Sequence, residues 1–370
     1  MNPLVTIIVL NWNGWQDTLE CLESLYQINY PHYQVIVVDN HSQDESLEKI
    51  RQYCQGKIEV QSPFFNYQKE NKPIKITEIT NIETEEKPNN QENNKNLNNF
   101  PQKSKISTVS KYTPAKNSSS TKKTPKPILT LIKNELNYGF AQGNNIAIKY
   151  TQKKHNPHYI LLLNNDTVVN PDFLTEMVKA VGRDSKIGMV SPKLLSAFNP
   201  HIIDSTGHVI SWGRVIDRGH GEVDQKQYDE QTEVIGAMAA AALYKKEMLL
   251  DVGLLDTSYI TLGEDADLSW RAYNHGWKAI YAPKAIVYHK RGQSITKKSV
   301  IPRMTFLSTK NTAEYVSRYG NSTQKFLYLF VLFKEGLFVL VGSIMGRNEI
   351  KTVEYFHMLI RSYIKIFKSF

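Results

Sequence analysis

The sequence predicts an α/β fold with a largely parallel central sheet flanked by helices. Two patterns carry the prediction. Short runs rich in Val and Ile alternate with segments of helical period, and polar clusters stand where the strands should end. At 370 residues and 41% hydrophobic, the chain can bury a substantial core.

The elements follow in order. Residues 4–10 (LVTIIVL) read as a buried strand, and Trp15 to Tyr26 as a helix with Trp15, Leu19, Leu22, Leu25 and Tyr26 on one face. Residues 34–39 (QVIVVD) are a second buried strand, and Glu45 to Tyr53 a helix. The pattern then breaks. Residues 62–127 hold eleven Asn, twelve Lys and no Gly, Trp or Cys, a composition that cannot offset chain entropy. They read as a low-complexity insertion, disordered over 83–126, although 72–82 alternate well enough for an edge strand. Order resumes with a strand at 128–132, a helix at 141–152 and a strand at 159–163. A helix at 172–181 follows Pro171, and 187–191, 208–216 and 234–244 are strand candidates. A helix spans 264–275, and short strands are expected at 279–281 and 285–288. The catalytic body is thus placed at 1–61 and 128–300, with a helical C-terminal region at 301–370.

That region contains FLYLFVLFKEGLFVLVGSIMG (326–346), long enough to cross a bilayer but interrupted by Lys334 and Glu335. Each costs about 2.5–3.5 kcal/mol at a helix centre, so a surface-lying or domain-packed helix is expected instead of a span.

Charge excludes one function class. Residues 62–127 carry a net +6 and 290–370 a net +10, leaving −7 on the rest of a chain whose total is +9. The folded body is therefore acidic, and no nucleic-acid partner is expected. The aromatics of the insert (Phe64, Phe65, Tyr67, Phe100, Tyr112) bunch at one end, unlike a base-stacking surface. Cys21 and Cys54 supply neither a disulfide framework nor zinc spacing. The first residues lack the basic flank and apolar length of a signal peptide, so a cytoplasmic location is expected, peripheral on a membrane if the basic tail meets an anionic leaflet.

In open parallel sheets, ligands bind beyond the carboxyl ends of the strands. Those ends carry Asn11-Trp12-Asn13-Gly14, then Asp39-Asn40, then Asn137-Tyr138-Gly139 with Asn144-Asn145, then Asn164-Asn165-Asp166. Each alone could be a turn or a helix cap; the set points to a polar ligand. A sugar-nucleotide pyrophosphorylase would want a cation in the first loop, and Asn11 to Trp15 contains none.

The stretches VTIIVLNWNG, VIVVDNHSQDES, NYGFAQGNN, LLLNNDT, EDADLSWR and HKRGQS resemble, in order, the family 2 inverting glycosyltransferases of the GT-A fold, in their bacterial rhamnosyltransferase-like branch. The resemblance covers residues 4–54 and 128–294, about 60% of the chain. It implies transfer of a sugar, rhamnose among the candidates, from a dTDP- or UDP-linked donor to a glycan or lipid-linked acceptor in cell-surface polysaccharide synthesis. The competing reading is a non-catalytic binding protein that uses the basic insert.

By resemblance, Asp39 accepts the imide N–H of the base, with Asn11, Asn40, Gly139, Asn144, Asn145 and Asn165 around the nucleotide. Asn144 and Asn145 also stand where they could cap a helix. Asp166 matches the metal ligand at a strand end where the family usually has D-x-D; here the first acid is the amide Asn164. One carboxylate with phosphate oxygens and waters suffices for Mg²⁺ or Mn²⁺. His289 is a second ligand by resemblance, or a surface histidine. Asp265 is implied as general base, with Glu264 and Asp267 orienting it or the acceptor; acids in a first helical turn also complement the helix dipole. Arg271 either faces the diphosphate or pairs with Asp267 four residues earlier. Gly236 and Ala237 fall on the acceptor side, and Trp212 and Trp270 could stack on a sugar or sit in the core.

Overall fold

The structure, a computed structural model, describes residues 2–80, 128–259, 261–291, 301–344 and 352–370. The expected disorder over 83–126 lies outside these, as do Gly292, Gln293 and Ser294 of HKRGQS.

The core is one mixed sheet. Strands β1 (Val5–Asn11), β2 (Tyr33–Asp39), β3 (Lys75–Thr80), β4 (Ile128–Lys133) and β5 (Tyr159–Asn164) are parallel in the order β5-β1-β2-β4-β3. Beyond β5 come β12 (Ala241–Lys245), β7 (Ile187–Ser196) and β13 (Lys278–His289), with β12 antiparallel to both its neighbours. Short strands β6 (Thr167–Val169) and β11 (Glu233–Val234) pair with β13, and β8 (Ile203–Ser205) with β7. A separate hairpin joins β9 (His208–Ser211) to β10 (Arg214–Asp217).

Alternation along the strands makes two apolar layers. Ile7, Val9, Val35 and Val37 share a cluster with residues of α1 (Trp15–Leu25), α2 (Ser46–Cys54) and α4 (Phe173–Val181). Ile8, Ile36 and Val38 share the other with α3 (Gly139–Lys154), α5 (Lys246–Val252) and α6 (Glu264–Asn274). A third cluster joins Trp270 and Val215 to α7 (Ile301–Tyr319), α8 (Ser322–Ile344) and α9 (Thr352–Lys368).

Four sequence expectations change, and the first is that the run 234–244 is strand only at β11 and β12. The run 208–216 splits at Trp212-Gly213, where both residues have positive φ, into β9 and β10. The two short strands at 279–288 are one strand with a register shift between Ala282 and Ile286. The boundary at 61 falls inside the fold: Ile74 is buried in the core and Lys72 donates to the fully buried Glu23 of α1 at 2.7 Å. Glu23 also accepts from Tyr53 Oη and the Gln68 backbone, so 62–80 is fastened to the body. The edge strand expected within 72–82 is β3.

Among the described residues, no helix is long and apolar enough to cross a membrane.

Candidate active site

The carboxyl ends of β2, β1 and β5 lie level, since Asn11 pairs with Asp39 and Leu10 with Asn164. The residues that follow therefore emerge at one sheet edge. Asp39 is buried, and accepts from Asn11 Nδ2 at 2.8 Å and from the Ser42 N–H at 3.1 Å. Asn11 Oδ1 accepts from Thr18 Oγ1 at 2.7 Å, and Thr18 in turn accepts from Asn165 Nδ2 at 3.1 Å. One network thus fixes Asp39, Asn11 and Asn165. Gly14 makes it possible, since a Cβ there would lie 2.8 Å from Asn165 Nδ2. Asn40 accepts from Asn134 Nδ2 and the Tyr138 N–H, and donates to Asn137 Oδ1 and the Gly139 carbonyl. Its side chain is spent on shaping the loop before α3, where Gly139 adopts φ +76°.

Next along the edge, Asp166 Oδ1 is buried without a hydrogen-bond partner and faces His289 Nε2 at 3.3 Å. The other imidazole nitrogen, Nδ1, lies 2.7 Å from Asp204 Oδ2. An Nδ1–H donated to Asp204 leaves Nε2 aimed at Asp166. An orphaned carboxylate oxygen beside an oriented imidazole fits a divalent cation whose other ligands are phosphate oxygens and waters. Among the described residues, no cluster of three or more His, Cys, Asp or Glu forms a cation cage, so a cation would depend on the donor's diphosphate. Burial disfavours a charged His289, but Asp166 and Asp204 outweigh it and lift its pKa to about 9. A cation therefore competes with a proton for Nε2.

The acceptor side begins at the same edge. The Asn164 N–H donates to the Ala240 carbonyl, which places the segment entering β12 beside the end of β5. Within that segment the Ala239 N–H donates to Asp265 Oδ2 at 3.0 Å. Asp265 Oδ1 accepts from the Ala266 N–H at 2.8 Å, and its side chain keeps 19% exposure. The carboxylate is thus oriented yet open. It projects from the start of α6, whose first turn follows the left-handed pair Leu262 and Gly263. Asn311 of α7 donates to the Thr261 and Leu262 carbonyls and clamps this turn. Glu264 is buried, with Oε2 unpartnered; burial, then the Asp265 charge, pushes its pKa up.

A second set of residues joins the two sides. Asp204 Oδ1 accepts from Arg291 Nη1 at 2.9 Å, and Arg291 Nη2 donates to Asp217 Oδ2 at 3.0 Å. Asp217 Oδ1 stands 3.5 Å from His208 Nε2, which is 3.9 Å from Asp265 Oδ2. Contacts therefore run without a gap from Asp166 to Asp265. Burial opposes charge on Asp204 and Asp217, but His220, His289 and Arg291 hold Asp204, and His208 with Arg291 holds Asp217, below the usual carboxylate range. His208 is raised: burial opposes its charge, and Asp217 with Asp265 outweighs burial. The sequence reading missed Asp204, His208, Asp217 and Arg291. The available signal was HKRGQS, where Arg291 follows His289 by two residues.

Several expected site residues are committed elsewhere. Asp267 is fully buried and held by Arg271, Tyr259 and Tyr319, so it does not face an acceptor. Arg271 is consumed by Asp267 and by the Val252 and Leu254 carbonyls, which settles its pairing against the diphosphate. Trp270 is buried against Tyr315 and is a core residue. Ala237 is buried in the second apolar layer. Gly236 is explained by packing, because a Cβ would lie 1.9 Å from Ser269 Oγ. Asn144 Nδ2 donates to the Phe140 carbonyl within α3, and Asn145 is bonded at both ends of its amide to the Leu255 backbone, so neither caps the helix and the Asn145 side chain is spent there. Trp212 is exposed in the β9–β10 turn, whose Gly213 abuts the Gln324 backbone of α8.

Comparison with known proteins adds to this geometry. Residues 121–305 match a family described as glycosyltransferase like family 2, and residues 6–72 match glycosyl transferase family 2. Poly-beta-1,6-N-acetyl-D-glucosamine synthase of Staphylococcus epidermidis is 27% identical over 163 residues, 42% of this chain and 34% of that one. The corresponding synthase of Staphylococcus aureus strain COL is 26% identical over 152 residues, 40% of this chain and 34% of that one. The chain thus spans about a third of the length of these relatives. Among solved structures, S. aureus TarS 1–349 in complex with UDP-GlcNAc aligns with TM-score 0.55 at 14% identity, over 99% of this chain and 81% of that one. A mannosyltransferase of Pyrobaculum calidifontis in complex with GDP-Man and Mn²⁺ aligns with TM-score 0.50 at 13% identity, over 98% and 88%. These likenesses establish the GT-A fold. The chain belongs to glycosyltransferase family 2 and is a glycosyltransferase.

Proposed function

We propose that this chain transfers a sugar from a dTDP- or UDP-linked donor to a hydroxyl of a glycan or lipid-linked acceptor, with inversion at the anomeric carbon, in the synthesis of a cell-surface polysaccharide. The observation that carries the reading is the placement of Asp265, an oriented and partly open carboxylate, at the sheet edge that also bears Asp39 and Asp166.

Each residue then has one task. Asp39, pinned by Asn11 and Ser42, retains lone pairs for the imide N–H of a uracil or thymine base. Asp166 and His289 would hold Mg²⁺ or Mn²⁺, which neutralises charge building on a departing diphosphate. Asp265 takes the proton from the acceptor hydroxyl as that oxygen attacks the anomeric carbon from the face opposite the nucleotide. A single displacement inverts the centre, and a transition state with oxocarbenium character is expected. Glu264 and His208 flank Asp265: burial pushes the first toward its neutral form, and Asp217 with Asp265, outweighing burial, pushes the second toward its charged form.

Rhamnose is favoured as the donor sugar by the resemblance of the motifs, and N-acetylglucosamine by the relatives' products. Donor hydrolysis tests both questions, with water as the acceptor. The full chain is incubated with dTDP-rhamnose and with UDP-GlcNAc in Mn²⁺, and the first-formed anomer of the released sugar is read by proton NMR. The expected anomer is inverted relative to the donor. Retention would overturn the single displacement.

A further inference from the structure

Helix α8 is apolar on both sides. Tyr328, Leu332 and Val339 face the third core cluster. On the opposite side Phe326, Phe330, Phe333, Leu337, Leu340 and Val341 are exposed, with Phe333 at 61%. Their spacing (i, i+4, i+7, i+11, i+14, i+15) is a single stripe about 22 Å long at 1.5 Å per residue. Helix α9 repeats the pattern, with Ile360, Ile364 and Phe367 exposed at i, i+4 and i+7, and Phe370 exposed just beyond. Gly336 brings the helices together, since a Cβ there would lie 3.2 Å from Leu359. An apolar surface of this extent marks a docking face.

Charge identifies the occupant. Exposed Lys334 borders the α8 stripe, and exposed Arg361 and Lys368 border that of α9. Two of the tail's acids are already paired: Glu314 with Arg318 and Lys365 of the tail, and Glu335 with Arg214 of β10. Glu354 stands near the start of α9, six residues before Ile360. A face of Phe, Leu and Ile edged by Lys and Arg is the composition of a helix that lies in a lipid interface. A second copy brought face to face would bring both sets of these cations into one interface. We propose that the α8–α9 face docks on an anionic bilayer, with the aromatic stripe in the headgroup boundary and the cations at the lipid phosphates. Among the described residues neither helix is long and apolar enough to span the bilayer. Because Asn311 of α7 holds the turn before Asp265, the docked helices are coupled to the acceptor side of the cleft. The inference goes beyond the proposed reaction and does not depend on it.

The test is co-sedimentation of the full chain with vesicles of phosphatidylcholine, with and without phosphatidylglycerol. Binding is expected on the anionic vesicles and should weaken as salt is raised. Combined Phe330→Ser, Phe333→Ser and Leu337→Ser should lower partitioning by more than about tenfold. Combined Lys334→Gln, Arg361→Gln and Lys368→Gln should reduce the preference for anionic lipid by roughly fivefold per cation removed. Both variants change only exposed side chains, and their melting temperatures and nucleotide binding report separately on the fold and the donor site. Absence of wild-type binding to anionic vesicles would overturn the proposal. So would binding that neither variant weakens. A concentration-dependent dimer that the serine variant dissolves, without any vesicle binding, would overturn it in favour of a second copy.

Discussion

The donor side of the cleft is assembled from neighbours in a sheet, and the acceptor side from segments that only packing brings together. Asp39, Asn11 and Asn165 stand at the ends of adjacent parallel strands or one residue past them, and their register places them. Asp265 owes its position to a left-handed turn at Leu262-Gly263, a bond from Ala239 and a clamp from Asn311. The difference shows how the two tasks separate. A rigid edge suits a nucleotide shared by many enzymes, whereas a packed collar of loops and a C-terminal helix can be changed without disturbing it.

The comparison can be broken most sharply at Asp265. Asp265→Asn should lower turnover by about 10²–10⁴-fold, read in the donor-hydrolysis assay, with an unchanged melting temperature. Near-normal turnover would leave the acceptor side without its base. The next largest effect is expected where the sides meet. Asp204→Asn leaves His289 and Arg291 without their shared buried partner, and should destabilise the fold by about 3 kcal/mol in urea. A loss within 0.5 kcal/mol would mean the cluster does not tie the two sides together.

His208→Gln sharpens the comparison through pH. The folded-state pKa of His208 lies above its unfolded value, so its contribution to stability is complete below about pH 6.5 and is lost as pH rises through the folded value. The stability gap between wild type and His208→Gln should therefore be widest in mild acid and shrink toward alkaline pH. A gap that stays constant with pH would show that His208 acts by packing alone. The smallest effect belongs to Asn311→Ala, which removes two hydrogen bonds from the turn before α6. It should cost about 1–3 kcal/mol of stability and lower turnover more than donor affinity. Equal losses in both would place the clamp on the donor side as well.

The strand edge of the donor side was legible in the sequence for the same reason that it is simple. Buried parallel strands announce themselves as runs such as VTIIVL and VIVVD, and the next polar residue is at the ligand edge. Asp166 and His289 were found by motif and do meet. The acceptor side was less legible because its partners are far apart in the chain. Nothing in the sequence marks Asp204, His208 and Asp217 as neighbours of Arg291. The sequence grouped Asp267 with Glu264 as neighbours orienting Asp265, and burial separates it: Asp267 binds Arg271 inside, as the i, i+4 pairing allowed. Asn145 misled because an amide near a helix start serves a backbone bond to Leu255 as readily as a ligand. Low-complexity composition concealed the order in 62–80, which is held by Ile74 in the core, by Lys72 and the Gln68 backbone on Glu23, and by the pairing of β3 with β4.

The division of the cleft is best measured by calorimetric titration of UDP and dTDP, in Mn²⁺, into the wild type and into Asp39→Asn, Asp166→Asn and Asp265→Asn. The roles derived above predict that the first two variants lose about tenfold or more in affinity, while Asp265→Asn binds as the wild type does. Asp265→Asn failing to bind, or Asp166→Asn binding normally, would contradict the division of the cleft into a donor side and an acceptor side.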